Sequence, residues 1–150
     1  AAVVSVGGSI LTYGKKPDGK SWKIGIANPR NEDGESYLGS LTIDGTCSIS
    51  TSGDYEKTFT DKKTGKRYFH ILDSKTGYSV KTDIRSCTII CDSGINADGL
   101  STACFSLGVK KSQKLLKEYN AKAVFVDKNN KVYVSDGVEF TLTAKDYKIV

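Results

Sequence analysis

The residues of this chain best placed to do chemistry are an aspartate and a threonine four positions apart, Asp98 and Thr102, and the one histidine, His70. Asp98 and Thr102 stand in Ala97-Asp98-Gly99-Leu100-Ser101-Thr102-Ala103, where Leu100, Ala103, Cys104 and Leu107 recur with helical period. Residues i and i+4 of a helix share a face, so a carboxylate and a hydroxyl can converge there on one ion. Both are hard oxygen donors, suited to Mg²⁺ or Ca²⁺ and not to a soft metal. Mg²⁺ characteristically takes one or two protein ligands and completes its shell with water and phosphate oxygens. Spacing alone favours a plainer reading, in which an aspartate in the first turn complements the helix dipole and a surface threonine needs no explanation.

His70 lies in Tyr68-Phe69-His70-Ile71-Leu72-Asp73. On a strand, Tyr68, His70 and Leu72 share a face. An imidazole titrates near neutrality without tuning and can take the proton of an attacking hydroxyl, although a lone histidine is more often surface or satisfied core. Ser50-Thr51-Ser52-Gly53-Asp54-Tyr55 gathers hydroxyls, a glycine and a carboxylate; it reads as a backbone nest for an anion or, more plainly, as a turn. Gly7-Gly8 permits close backbone approach to a ligand but is also a common turn pair. No dinucleotide-binding glycine fingerprint, phosphate-binding P-loop, serine nucleophile elbow or His-Glu-x-x-His motif occurs.

The elements that must position these groups are mostly strands. Ala1 to Val6 runs into the Gly7-Gly8 turn, and Trp22, Ile24 and Ile26 alternate as on a half-buried strand. Leu41 and Ile43 lead into Asp44-Gly45, which predicts a hairpin with Thr46 to Ser50 as the returning strand. Tyr55 to Thr60 and Arg67 to Leu72 flank the polar turn Asp61 to Gly65 and predict a second hairpin. Arg85 to Cys91 is β-branched and apolar, the pattern of a central strand. Ala123 to Val126, a turn at Asp127 to Asn130, Val132 to Ser135 and Val138 to Leu142 repeat the theme. Between them lies a helical stretch that Gly108 is expected to end, followed by a second helix with Ser112 as N-cap and Leu115, Leu116 and Tyr119 inward. The expected fold is α+β, a mostly antiparallel sheet packed around a central helical hairpin, with residues 1–150 as a single domain.

Composition narrows the function classes. The chain has 150 residues, 38% hydrophobic and 26% charged, in the range of soluble globular domains. The net charge of +5 comes from lysines scattered along the chain, without the interleaved aromatics of a nucleic-acid-binding face. We therefore expect no nucleic-acid partner. Cys47, Cys87, Cys91 and Cys104 match no zinc spacing and read as buried free thiols; Cys87 and Cys91 lie roughly 13 Å apart along a strand, too far to bridge. No apolar run reaches the ~18 residues of a membrane span, and no signal peptide is visible. The chain lacks methionine altogether, so Ala1 is not expected to be the natural start of translation.

In their order and spacing, these segments resemble the ApbE family of FAD:protein FMN transferases. The matching pieces are Val6-Gly7-Gly8, Trp22 to Pro29, Ser50 to Glu56, His70 to Tyr78 and Ala97 to Ala103, and the likeness corresponds to the C-terminal half of a member. It implies binding of FAD and Mg²⁺ and transfer of FMN to a threonine hydroxyl of an acceptor protein, with release of AMP. Some members hydrolyse FAD to FMN and AMP, and a non-catalytic flavin-binding module is the further alternative. Carried over by motif, Asp98 and Thr102 are metal ligands and His70 is the catalytic base. Leu72 lies at the adenine-dinucleotide site, and Ser52, Gly53 and Asp54 line the same cleft. Ser74 stands where the family usually has proline, and Val6 and Ser9 stand where asparagine and aspartate flank the paired glycines. No ligand role is carried to Val6 or Ser9. The N-terminal half of a family member supplies much of the flavin and adenosine contact, which leaves open the activity of this chain by itself. The family's habit further implies an extracytoplasmic location, periplasmic or tethered to a membrane through a preceding segment.

Overall fold

The computed structural model describes residues 1–30 and 37–150. In chain order the strands are β1 (Ala2–Val6), β2 (Ser9–Tyr13), β3 (Trp22–Ala27), β4 (Tyr37–Ile43), β5 (Cys47–Gly53), β6 (Thr58–Thr60), β7 (Arg67–Phe69) and β8 (Ile84–Cys91). The helix α1 (Gly94–Glu118) follows, then β9 (Lys122–Asp127), β10 (Lys131–Val134), β11 (Phe140–Leu142) and β12 (Lys148–Ile149). Seven strands form one sheet in the order β1-β2-β5-β8-β9-β10-β12, antiparallel except at β10–β12. A second sheet runs β11-β4-β3, and β6 and β7 form a two-stranded sheet of their own.

Period-two alternation explains how the layers close. Along β9, Val124 and Val126 face a core shared with Ile24, Ile26, Leu38 and Leu41 of the three-stranded sheet. Ala123 and Phe125 point the other way, into a core shared with Leu100, Cys104 and Phe105 of α1. The larger sheet is thus covered on both faces, so β8 is buried at seven of its eight positions. Its expected central place follows from that. All four cysteines are buried and free, as the sequence suggested.

Four sequence expectations need correction. The Asp44-Gly45 hairpin does not form: β4 pairs with β3 and β11, whereas β5 pairs with β2 and β8. Gly45 does take a positive φ of 86°. An Asp-Gly pair specifies a local turn, but the two flanking strands found better partners in different sheets, and the turn became a passage between layers. The central helical hairpin is also absent. One long helix lies against a single face of the seven-stranded sheet, bent at Gly108, the one residue inside it with non-helical dihedrals (φ 77°, ψ 171°). Helical conformation resumes at once after Gly108, leaving no loop in which the chain could reverse. Ser112 is therefore not an N-cap. Its hydroxyl donates back to the Gly108 carbonyl at 2.7 Å and the Cys104 carbonyl at 3.3 Å, replacing amide bonds interrupted by the bend. Tyr119 and Leu107, expected to face inward, are 45% and 44% exposed.

Candidate active site

Strand β5 presents alternate serines to the helix. Ser48, Ser50 and Ser52 face α1, while Ile49 between them enters the core on the other side of the sheet. Small side chains suit this face because the helix begins close by: a Cβ on Gly94 would lie 3.6 Å from Ser48 Oγ. Ser93 caps α1, its side chain accepting from the Asn96 amide at 3.3 Å. The helix therefore starts at Gly94, and its first turn holds no acidic residue. Asp98 sits a full turn inside, which removes the helix dipole as the explanation for its presence.

The result is a cluster of hydroxyl and carboxylate oxygens between β2, β5 and α1. Ser9 donates to Ser50 Oγ at 3.2 Å, and Ser50 donates to Asp98 Oδ1 at 3.3 Å. Ser52 Oγ lies 2.7 Å from Ser101 Oγ and 3.1 Å from Thr102 Oγ1. Ser101, fully buried, turns its own hydroxyl to the Asp98 carbonyl at 2.8 Å. Asp98 and Thr102 remain exposed on the outer side. Asp98 and Thr102 each bond a different serine of β5, and the spacing argument passed over Ser50, Ser101 and Ser9. The alternation Ser48-x-Ser50-x-Ser52 was the available signal for Ser50, whereas Ser9 enters only through the register of β2 against β5.

His70 belongs to a second group, beyond the end of β7. It and Tyr68 and Leu72 line one cavity of about 600 Å³, together with Lys57, Phe59, Phe69 and Tyr78, although the strand expected to give them a common face ends at Phe69. Phe59 and Tyr68 stack at 5.1 Å, and Lys66 Nζ lies 5.2 Å from the Tyr68 ring and 5.7 Å from that of Tyr78. His70 Nδ1 is 3.3 Å from the Glu56 carbonyl oxygen. A carbonyl only accepts, so this contact places the proton on Nδ1 and leaves Nε2 with its lone pair. Asp98 and Thr102 are not among the residues lining this cavity.

Gly53 and Asp54 connect the two groups along the chain. A Cβ on Gly53 would meet the Tyr55 ring at 2.3 Å and the Arg85 carbonyl at 3.0 Å, so glycine here lets the tyrosine lie over the strand. Burial pushes the Tyr55 phenol up to about 12, aided by the nearby negative charges of Glu56 and Asp54. Asp54 turns away from the oxygen cluster. It is 5% exposed, its amide donates to the Arg85 carbonyl at 2.9 Å, and its own carbonyl accepts from Arg67 Nη2 at 2.8 Å. Burial raises its carboxyl above the usual range, outweighing the positive charges of Arg85, Arg67 and Lys128.

The sequence profile of the ApbE family matches residues 1–125. The chain belongs to the ApbE family. It is 35% identical, across its whole length, to an FAD:protein FMN transferase of Treponema pallidum (strain Nichols), of which it covers 43%. It is 36% identical to one of Klebsiella pneumoniae (strain 342), with 89% of this chain and 40% of that protein aligned. Among solved structures, an ApbE protein from Thermotoga maritima superposes with a TM-score of 0.74 at 32% identity, over 90% of this chain and 42% of that one. The apo form of the Pseudomonas stutzeri flavinyl transferase ApbE gives 0.62 at 34% identity, over 96% and 41%. The chain thus spans about two-fifths of the length of these ApbE relatives.

Proposed function

We propose that this ApbE chain carries the metal and base of a flavin transferase, which moves FMN from FAD onto a threonine hydroxyl of an acceptor protein and releases AMP. The observation that supports this best is the oxygen cluster in which Ser50 holds Asp98 and Ser52 holds Thr102. Every donor is a hard oxygen, the set that suits Mg²⁺. Among the described residues no three His, Cys, Asp or Glu side chains gather around one point. An ion here would take its remaining ligands from hydroxyls, carbonyls, water and phosphate. Asp98 and Thr102 are the residues that would hold Mg²⁺, which when bound neutralises charge on the pyrophosphate and the leaving AMP.

The remaining chemistry falls to His70. With its proton on Nδ1, its Nε2 takes the proton of the acceptor threonine as that oxygen bonds to the FMN phosphorus. The bond between that phosphorus and the oxygen bridging to AMP breaks, and AMP leaves with the electron pair. Leu72 borders the same cavity and is assigned to the dinucleotide side, with Ser52, Gly53 and Asp54 shaping the segment between base and metal. Family habit places the reaction outside the cytoplasm.

The test uses the protein as encoded, with FAD, Mg²⁺ and a threonine-bearing peptide. Wild type should yield flavinylated peptide and stoichiometric AMP, and Asp98→Ala should abolish both. AMP and free FMN appearing equally well without the peptide would favour an FAD pyrophosphatase instead. Full activity in both Asp98→Ala and His70→Ala would overturn the mechanism.

A further inference from the structure

The hairpin that leads to His70 belongs to neither large sheet. Among the described residues, strands β6 and β7 pair only with each other, over three residues each. An isolated two-stranded hairpin is marginal in water, so its orientation depends on what ties it to the body of the protein. The ties from the β7 side begin with apolar burial: Ile71, next to His70, is 6% exposed in the core beneath α1. The Phe69 ring meets Phe105 of α1 edge-on at 5.9 Å, an apolar contact that fixes distance better than direction. Ser79 exchanges two hydrogen bonds with the Phe69 backbone, at 2.9 and 2.8 Å, but Ser79 lies on the same excursion of chain. The directional link is the guanidinium of Arg67, which donates to the Asp54 carbonyl at 2.8 Å. Asp54 is itself fixed, since its amide is bonded to Arg85 of β8 at 2.9 Å and its side chain is buried.

We infer that Arg67 is a positioning residue for His70, anchoring the hairpin to the end of β5 so that the imidazole keeps its bond to the Glu56 carbonyl. Asp54 and Glu56 are two residues apart, and their partners Arg67 and His70 are three apart. The two contacts, the Arg67 guanidinium to the Asp54 carbonyl and the His70 ring to the Glu56 carbonyl, join the same two segments. Losing the first frees the second. Arg67 touches neither the oxygen cluster nor the reacting atoms, so its effect travels through the orientation of His70 and through the ring nitrogen that holds the proton. A charge-assisted bond from a guanidinium suits this role, because it is stronger and more directional than a neutral one.

The inference rests on the proposed role of His70, and its test separates the two. His70 is the one histidine in this sequence, and the signals lost in His70→Gln assign its ring nitrogens in ¹⁵N NMR spectra of the protein as encoded. In wild type the spectrum should show Nδ1 protonated and Nε2 bare at pH values where the ring is neutral. In Arg67→Ala the neutral ring should move toward the Nε2-protonated mixture of free histidine, and Arg67→Lys should restore most of the wild-type pattern. In FMN transfer, Arg67→Ala should lower kcat by about 10- to 100-fold, the cost of a roughly ångström-scale misplacement, with KM for FAD within about threefold. Thermal unfolding of each variant checks that the fold is retained. An unchanged tautomer pattern in folded Arg67→Ala overturns the positioning role whatever the activity. A failed wild-type transfer assay beside the expected NMR change removes the transferase reading and leaves the positioning role standing.

Discussion

Replacing Gly53 by alanine should move one particular ring. The new methyl carbon would start 2.3 Å from Tyr55 Cε1, 2.8 Å from Cδ1 and 3.0 Å from the Arg85 carbonyl. The carbonyl belongs to the β5–β8 ladder and cannot retreat without breaking it. The Tyr55 ring is half-buried and turns freely about its own side-chain bonds, so the ring swings out. A tyrosine buries on the order of 150–250 Å². Losing about 100 Å² of that at roughly 25 cal/mol per Å² costs about 2–3 kcal/mol, or about 5–10 °C in Tm for a domain of this size. The same movement should be visible spectroscopically. Burial pushes the Tyr55 phenol up to about 12, so on release its titration should fall toward its ordinary value of 10.0. Urea unfolding and alkaline absorbance titration of Gly53→Ala and wild type measure both effects. Stability within about 0.5 kcal/mol of wild type, together with an unchanged tyrosine titration, would refute the claim that Gly53 exists to accommodate Tyr55.

Asp54 should make stability depend on acidity in an unusual direction. Its folded carboxyl titrates above its ordinary value of 3.8, so the fold prefers it neutral; that stabilisation is complete below 3.8 and is lost as pH rises through the raised folded value. Asp54→Asn is neutral throughout, so its stability relative to wild type should climb across that window and then level off in urea titrations at successive pH values; a flat or falling difference would contradict the burial argument. The four thiols should be silent to an aromatic disulfide reagent in the native protein and react fully once unfolded. Burial pushes Cys47 up to about 11 and Cys87 well above its ordinary value. Cys104 is drawn down to about 7 by the Cys87 hydrogen bond, but it has no exposed surface through which to react. Fast labelling of one native thiol would show that the α1–β8 packing opens readily.

Local pattern was enough for much of this ApbE chain. The alternation of Trp22, Ile24 and Ile26 encodes β3, and the apolar run before Cys91 encodes a strand buried on both faces. The turn residues between β6 and β7 encode the hairpin that carries His70. The i, i+4 spacing of Asp98 and Thr102 encodes their common helical face. These are statements about neighbours in sequence, where backbone geometry leaves little freedom. What tertiary structure alone decided concerns partners far apart in the chain. Asp44-Gly45 makes the same turn whether its strands pair or part, and only the competition of β2, β3, β8 and β11 for edges sent β4 and β5 into different sheets. Gly108 can end a helix or merely bend it, and the Ser112 hydroxyl settled that by closing the gap. Ser9 and Ser50 are 41 residues apart, and Ser52 and Thr102 are 50 apart. The oxygens meet because β5 lies between β2 and β8 while α1 crosses its serine face, and no spacing in the sequence records that crossing.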